Sequence, residues 1–150
     1  MIVKDVLVIM GSASDKEIMK EATSQLEVFD LSFDEIVASA HRNPDKVASI
    51  AKEAIHTYKV IIAGAGKAAH LPGVIAGHTI LPVIGVPIRT SDLGGVDSLY
   101  SIVQMPKGVP VATVAINGAQ NAAILAAQIL ALSDKKLHQR LIEFKESLKS

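Results

Sequence analysis

The 150-residue chain predicts an α/β protein, a three-layer αβα sandwich around a central parallel sheet. Three observations carry that expectation. The apolar, β-branched runs Val3 to Met10 and Val60 to Ala63 are continuous rather than alternating, as strands buried on both faces are. Between such runs stand segments whose apolar residues recur at helical spacing. Short polar or glycine-rich breaks separate the two kinds, and strands alternating with helices in this way build a parallel sheet covered on both sides.

Each element follows in order. Val3 to Met10 is the first strand, broken by Gly11-Ser12-Ala13-Ser14-Asp15. The next helix turns Ile18, Met19, Ala22, Leu26 and Phe29 inward. Leu31 to Ala38 reads as the second strand, and Ser39 to Pro44 as a loop that opens a helix. Asn43 is a good N-cap there, and Pro44 suits a first helical position, where no N–H is needed. That helix buries Val47, Ile50, Ala51, Ala54, Ile55 and Tyr58, and Val60 to Ala63 forms a short third strand. Gly64 to Gly73 is the loop ending it, a short helix covers Pro72 to His78, and a strand runs from Leu81 to Val86. An irregular segment spans 88 to 108, a strand Val111 to Ala115, and helices 119 to 132 and 134 to 148 finish the chain. The expected whole is one flavodoxin-like or Rossmann-like domain over 1–150.

Lysine plus arginine equals aspartate plus glutamate, 15 each, and neither sign forms a long block. A general nucleic-acid or membrane-surface role therefore has no support, and an anionic ligand must be caught locally. Without cysteine there is no disulfide framework, thiolate nucleophile or cysteine-based metal site. The first residues lack the charged-then-apolar layout of a signal peptide, and the expected location is cytoplasmic. Residues 68 to 88 and 108 to 133 are uncharged but carry several prolines, histidines and amides. Only Ala119 to Leu132 reads as unbroken helix, short of the roughly 20 residues that span hydrocarbon. That helix is apolar on nearly every side, which places it deep in the domain or against copies of itself.

In a parallel sheet the loops leaving the carboxyl ends of the strands lie along one edge, and neighbouring loops at a topological switch point form a crevice. The loops 11 to 15, 39 to 44 and 64 to 73 hold most of the chemically pointed residues. Ser14 with Glu17 fits a capping box, a purely structural use. Gly11 permits a tight turn, while Ser12, one step before that cap, has less structural reason to be polar. Asp15 either complements the helix dipole or accepts hydrogen bonds from sugar hydroxyls. His41 is either a backbone-bonded loop histidine or a general acid and base. Arg42 is a surface cation or, beside a helix N-terminus, a phosphate or carboxylate clamp. Gly64-Ala65-Gly66 suits close backbone approach to a small ligand and nothing narrower. His70 caps the short helix or faces the pocket. His56, His78 and His138 sit on helical surfaces or ends, and no pair of ligating residues has metal spacing.

Five ordered motifs add a resemblance. They are Gly11-Ser12-x-Ser14-Asp15, Ser39-Ala40-His41-Arg42-x-Pro44, Ala63-Gly64-Ala65-Gly66-x-Ala68-Ala69-His70-Leu71-Pro72-Gly73, Leu81-Pro82-Val83-Ile84-Gly85-Val86-Pro87, and the stretch from Asp97 to Pro106. Over about residues 3 to 132 the chain resembles the class I N5-carboxyaminoimidazole ribonucleotide mutases of bacterial purine biosynthesis. The Ala-Ala-His-Leu-Pro-Gly segment resembles the mutases rather than the related carboxylases, which use free carbon dioxide. The resemblance implies an isomerase that moves a carboxylate from the exocyclic nitrogen of an aminoimidazole ribonucleotide to ring carbon C4, with no metal or organic cofactor. It implies His41 as the catalytic proton carrier and Ser12, Asp15 and Arg42 as substrate-binding residues, with Ser14, Ser39, Gly66 and His70 as further members of the pocket. It also implies a homo-octamer with shared active sites, into which helices 119–148 would pack. One residue departs: the family usually has glycine where Lys67 stands. If that position takes positive φ, the lysine is strained; if it lies against substrate, the ammonium crowds the carboxylate or adds a contact. Two other readings are a non-catalytic nucleotide-binding module and a structural oligomer built on the alanine-rich helix.

Overall fold

The first apolar run forms β1 (Val6–Met10), every residue of which is sealed from solvent. In the computed structural model, which describes residues 3–150, it lies near the middle of a five-stranded parallel sheet. Its companions are β2 (Phe33–Val37), β3 (Val60–Gly66), β4 (Val83–Ile88) and β5 (Ala112–Thr113), in the order β2-β1-β3-β4-β5. This is the flavodoxin-like order, and it puts the switch point between β1 and β3, whose following connections run to opposite sides of the sheet.

Successive residues of β1 face opposite helical layers. Val6, Val8 and Met10 pack with Met19, Ala22 and Leu26 of α1 (Lys16–Val28) and with α5 (Ala119–Ala131), whose outer neighbour is α6 (Lys135–Ser147). Leu7 and Ile9 pack with α2 (Pro44–Glu53), α3 (Leu71–Ala76) and α4 (Val96–Val103), through Val47, Ala51, Leu71, Ile75 and Ile102. The small side chains of Ala119, Ala122, Ala123, Ala126 and Ala127 let α5 settle onto α1 and the sheet. The helix expected to be central thus spends most of its apolar surface inside its own chain.

Several expectations are corrected. The first strand begins at Val6 rather than Val3 because Asp5 turns aside, its carboxylate taking hydrogen bonds from Ser32 and Lys59. The second strand is shorter than Leu31 to Ala38, and as an edge strand it is only half-buried. The α2 helix closes in a turn of 3-10 helix over Ala54–His56. That tighter winding advances 120° rather than 100° per residue, and Ile55, expected inside, is 44% exposed. Gly64-Ala65-Gly66, expected in a loop, completes β3 and pairs with β4. The strand expected at Leu81 to Val86 is displaced to Val83–Ile88 and contains Pro87. Pro87 is tolerated because β5 pairs only with Ile84 and Gly85, so no strand lies where the missing N–H would point. The fifth strand is two residues long rather than five. The segment 88 to 108, expected to be irregular, contains α4, started by Gly94 and Gly95 at positive φ.

Candidate active site

The loop after β1 folds into a 3-10 turn, Ala13–Asp15, and its cap is Ser12. The Ser12 hydroxyl accepts from the Ser14 amide at 3.3 Å, and the Ser12 amide donates to Asp15 Oδ2 at 3.2 Å. The capping box therefore belongs to Ser12 and Asp15, not to Ser14 and Glu17, because the helical path starts one short turn earlier than expected. Ser14 instead exchanges a hydroxyl hydrogen bond with Ser12 at 2.9 Å. Asp15 is only 8% exposed. Its burial pushes the carboxyl above the ordinary aspartate range, against the pull of the Ser12 amide and the Arg42 charge.

After β2 the chain turns on Ser39, whose hydroxyl accepts from the Arg42 amide at 3.1 Å. Asn43 then caps α2 by accepting from the Lys46 amide at 3.4 Å, with Pro44 in the first turn as expected. This turn sends Arg42 across the switch point, where its Nη2 donates to the carbonyl of Gly11 at 3.2 Å. One guanidinium thus ties the first loop to the second, and its remaining N–H groups are available to an anion.

The loop after β3 brings His70 against His41. His41 Nε2 and His70 Nδ1 are 2.6 Å apart, with the rings edge to face at 4.7 Å and 77°. Two ring nitrogens that close share one proton, so one ring donates and the other accepts. His70 occupies the N-cap position of α3 but makes no side-chain cap; its side chain faces the pocket. Gly66 is where it is because a Cβ there would sit 2.8 Å from Thr90 Cγ2. Gly64 answers to packing rather than to a ligand, since a Cβ there would meet Met19 Sδ at 2.4 Å. Lys67 has φ +55°, a left-handed conformation costing a non-glycine residue about 1 kcal/mol. Its ammonium pairs with Asp92 at 2.8 Å.

These loops enclose an open cleft of about 430 Å³. Ser12, Ser14 and Asp15 border it from the first loop, Ser39, His41 and Arg42 from the second, and Lys67 and His70 from the third, with Gly66 at the end of β3. Thr90, from the loop after β4, lines it as well, and its buried hydroxyl has no hydrogen-bond partner among the described residues. Neither Thr90 nor Asp92 was expected. The signal for them is the spacing of Val96, Leu99, Tyr100 and Val103, which marks a helix and so makes 89–95 a strand-to-helix loop on the same edge. His56, His78 and His138 lie exposed and outside the cleft. Among the described residues no group of three histidines or carboxylates is placed to hold a metal ion.

A family model described as AIR carboxylase matches residues 5–150. The chain belongs to the AIR carboxylase family. Within the AIR carboxylase family it is similar to two curated proteins named N5-carboxyaminoimidazole ribonucleotide mutase. The one from Thermotoga maritima is 55% identical over 143 residues, covering 95% of this chain and 84% of the relative. The one from Escherichia coli K12 is 55% identical over 145 residues, covering 95% and 86%. Among solved structures, Treponema denticola PurE superposes with a TM-score of 0.87 at 30% identity, covering 96% of this chain and 90% of its own. The fold and the family therefore agree with the resemblance carried by the five motifs.

Proposed function

We propose that this chain is an N5-carboxyaminoimidazole ribonucleotide mutase, an isomerase of purine biosynthesis that shifts the carboxyl group from nitrogen to ring carbon C4. The observation that carries the reading is the His41–His70 pair, 2.6 Å between ring nitrogens, on the wall of a cleft that also holds a free guanidinium face and a buried carboxylate. The relatives' shared name supplies the substrate.

Arg42, with the N-terminus of α2, takes the 5′-phosphate through charge-assisted hydrogen bonds. Asp15 accepts from the ribose hydroxyls, and Ser12, Ser14 and Ser39 surround the same end. The reaction then needs one proton moved twice. His41 gives a proton to the exocyclic nitrogen as its bond to the carboxylate carbon breaks, which releases carbon dioxide and an electron-rich aminoimidazole. The enclosed carbon dioxide bonds to C4, and His41, now neutral, removes the C4 proton. Proton and carboxyl both balance, so the net change is an isomerisation. His70 holds the His41 ring in orientation and shares its proton between the two steps. The reading assigns no metal or organic cofactor to the reaction.

The proposal extends to the assembly and its place. The chain is a single domain, residues 1–150, working as a homo-octamer with shared active sites, toward which helices 119–148 contribute packing surface. It acts in the cytoplasm on a small ribonucleotide, with no nucleic-acid or membrane partner; the equal numbers of positive and negative side chains support this. No described helix is long and apolar enough to cross a membrane.

The test is a coupled assay of the carboxyl shift in wild type and His41→Asn. The expected result is turnover without dependence on added bicarbonate, reduced about 10²- to 10⁴-fold in the variant. Equal activity in the two proteins defeats the proton carrier. Tight nucleotide binding without turnover in wild type favours a binding module, and turnover that requires bicarbonate favours the carboxylase class.

A further inference from the structure

Lys67 keeps a left-handed backbone without glycine, at φ +55°, and no buried packing holds it there. Among the described residues its ammonium pairs with the Asp92 carboxylate, the Asp97 charge acting from farther off, and the two paired side chains are 68% and 69% exposed. An ion pair so open to water contributes little to stability and gives way readily to a competing anion. Strain retained by a side chain with so little structural return points to use of that side chain.

The cleft has two cations on its walls, and the proposed substrate has two anions. Arg42, whose hydrogen bond is to a neutral carbonyl, answers the phosphate. Lys67 lies on the β3 loop three residues before His70, on the wall where the carboxyl group is to be moved, and it also borders the cleft. The group now holding its ammonium is itself a carboxylate, in the neighbouring loop after β4 and just outside the cleft lining. Asp92 thus stands where a ligand carboxylate would be attractive to Lys67.

We infer that Lys67 is a specificity-determining residue that selects the carboxylated ribonucleotide, its ammonium exchanging Asp92 for the ligand carboxylate on binding. This rests on the mutase reading of the site. The contact exists with substrate and with product, both carboxylated, and disappears in the intermediate, where carbon dioxide is neutral. Lys67 therefore strengthens ground-state binding and does not lower the barrier. Asp92 is the competitor that parks the ammonium when the cleft is empty.

The test compares wild type, Lys67→Gly and Asp92→Asn by titration calorimetry with two probes, 4-carboxy-5-aminoimidazole ribonucleotide and the same nucleotide lacking the carboxyl group. Glycine relieves the backbone at position 67 and Asp92 is exposed, so both variants fold. Wild type is expected to prefer the carboxylated probe. Lys67→Gly should cut that preference about tenfold and Asp92→Asn should raise it about threefold. In the mutase assay Lys67→Gly should raise KM with kcat no lower. If wild type binds neither nucleotide, the mutase reading and this inference fall together. If wild type binds and turns over but Lys67→Gly leaves the preference unmoved, only this inference is overturned.

Discussion

Asp15 shows how one side chain can serve a fold and a site at a cost. It closes the cap with Ser12 while being buried beside a cleft, and burial holds its carboxyl above the ordinary range. A folded state that binds a proton more tightly than the unfolded chain loses stability as pH rises from the ordinary value through the raised one. Ionised Asp15 is therefore a stability cost at neutral pH. Asp15→Asn keeps an oxygen for the Ser12 amide and removes the charge, so its unfolding temperature should exceed that of wild type at pH 7, with the difference gone below about pH 4. Calorimetric melts at the two pH values check this, and a lower Tm for the variant at pH 7 contradicts it. The same variant should lose ribonucleotide affinity, since the amide no longer offers a charged acceptor to the ribose. At this scale much was legible in the chain. His41 and Arg42 stood out because proline and strand-to-helix signals are local, and Ser12 and Asp15 because they lie in the break after the first strand, although the cap was expected at Ser14 and stands at Ser12. The contact between His41 and His70, 29 positions apart, was not, because it depends on which strands neighbour each other.

The elements carry a second lesson in the fit of α1 to β3. Met19 fills the space where Gly64 has no side chain, and a Cβ there would come within 2.4 Å of its sulfur. Gly64→Ala should destabilise the protein by about 1–3 kcal/mol through overpacking. In a Met19→Ala background the same change should cost clearly less, with a coupling energy of about 1 kcal/mol or more in a denaturation cycle. Purely additive effects would mean that the glycine serves something other than this packing. Sequence patterning found α1 and α2 by buried faces that recur at helical spacing, α5 by an apolar run without charge, and also placed α3 and α6 to within a residue or two. It missed α4, eight residues long, whose outward face carries Val96, Tyr100 and Val103, all more than 40% exposed. The apolar residues do keep a helical repeat, but it lasts only two turns and follows directly on Gly94 and Gly95, a break that reads as loop. The ends of β3 and β4 were misplaced for a related reason: glycine and proline usually end strands, and here pairing with a neighbour carries both strands through them.

For the whole molecule, the outward apolar residues of α4, with Leu93 beside them at 64% exposure, are what a lone 15.8 kDa chain would leave in water. The proposed octamer gives such surface a partner. Light scattering of the purified protein should give a mass many times 15.8 kDa, and a stable monomer would defeat the assembly and the shared site together. The all-round apolar α5, which first suggested association, packs mainly against α1 and the sheet, so its composition reports depth in the domain at least as much as assembly. The alternation of buried runs and amphipathic segments determined the fold class by itself, because each strand and helix must hide its own apolar face and few arrangements do that for all of them. The local motifs likewise pointed to three loops, and residues of all three line one cleft. Only the tertiary structure decided that the loop after β4 is a fourth wall, that His41 and His70 share a proton, and that Lys67 reaches Asp92. Those contacts join residues distant in the chain, and their distances follow from strand order and loop path, which no short stretch of sequence encodes.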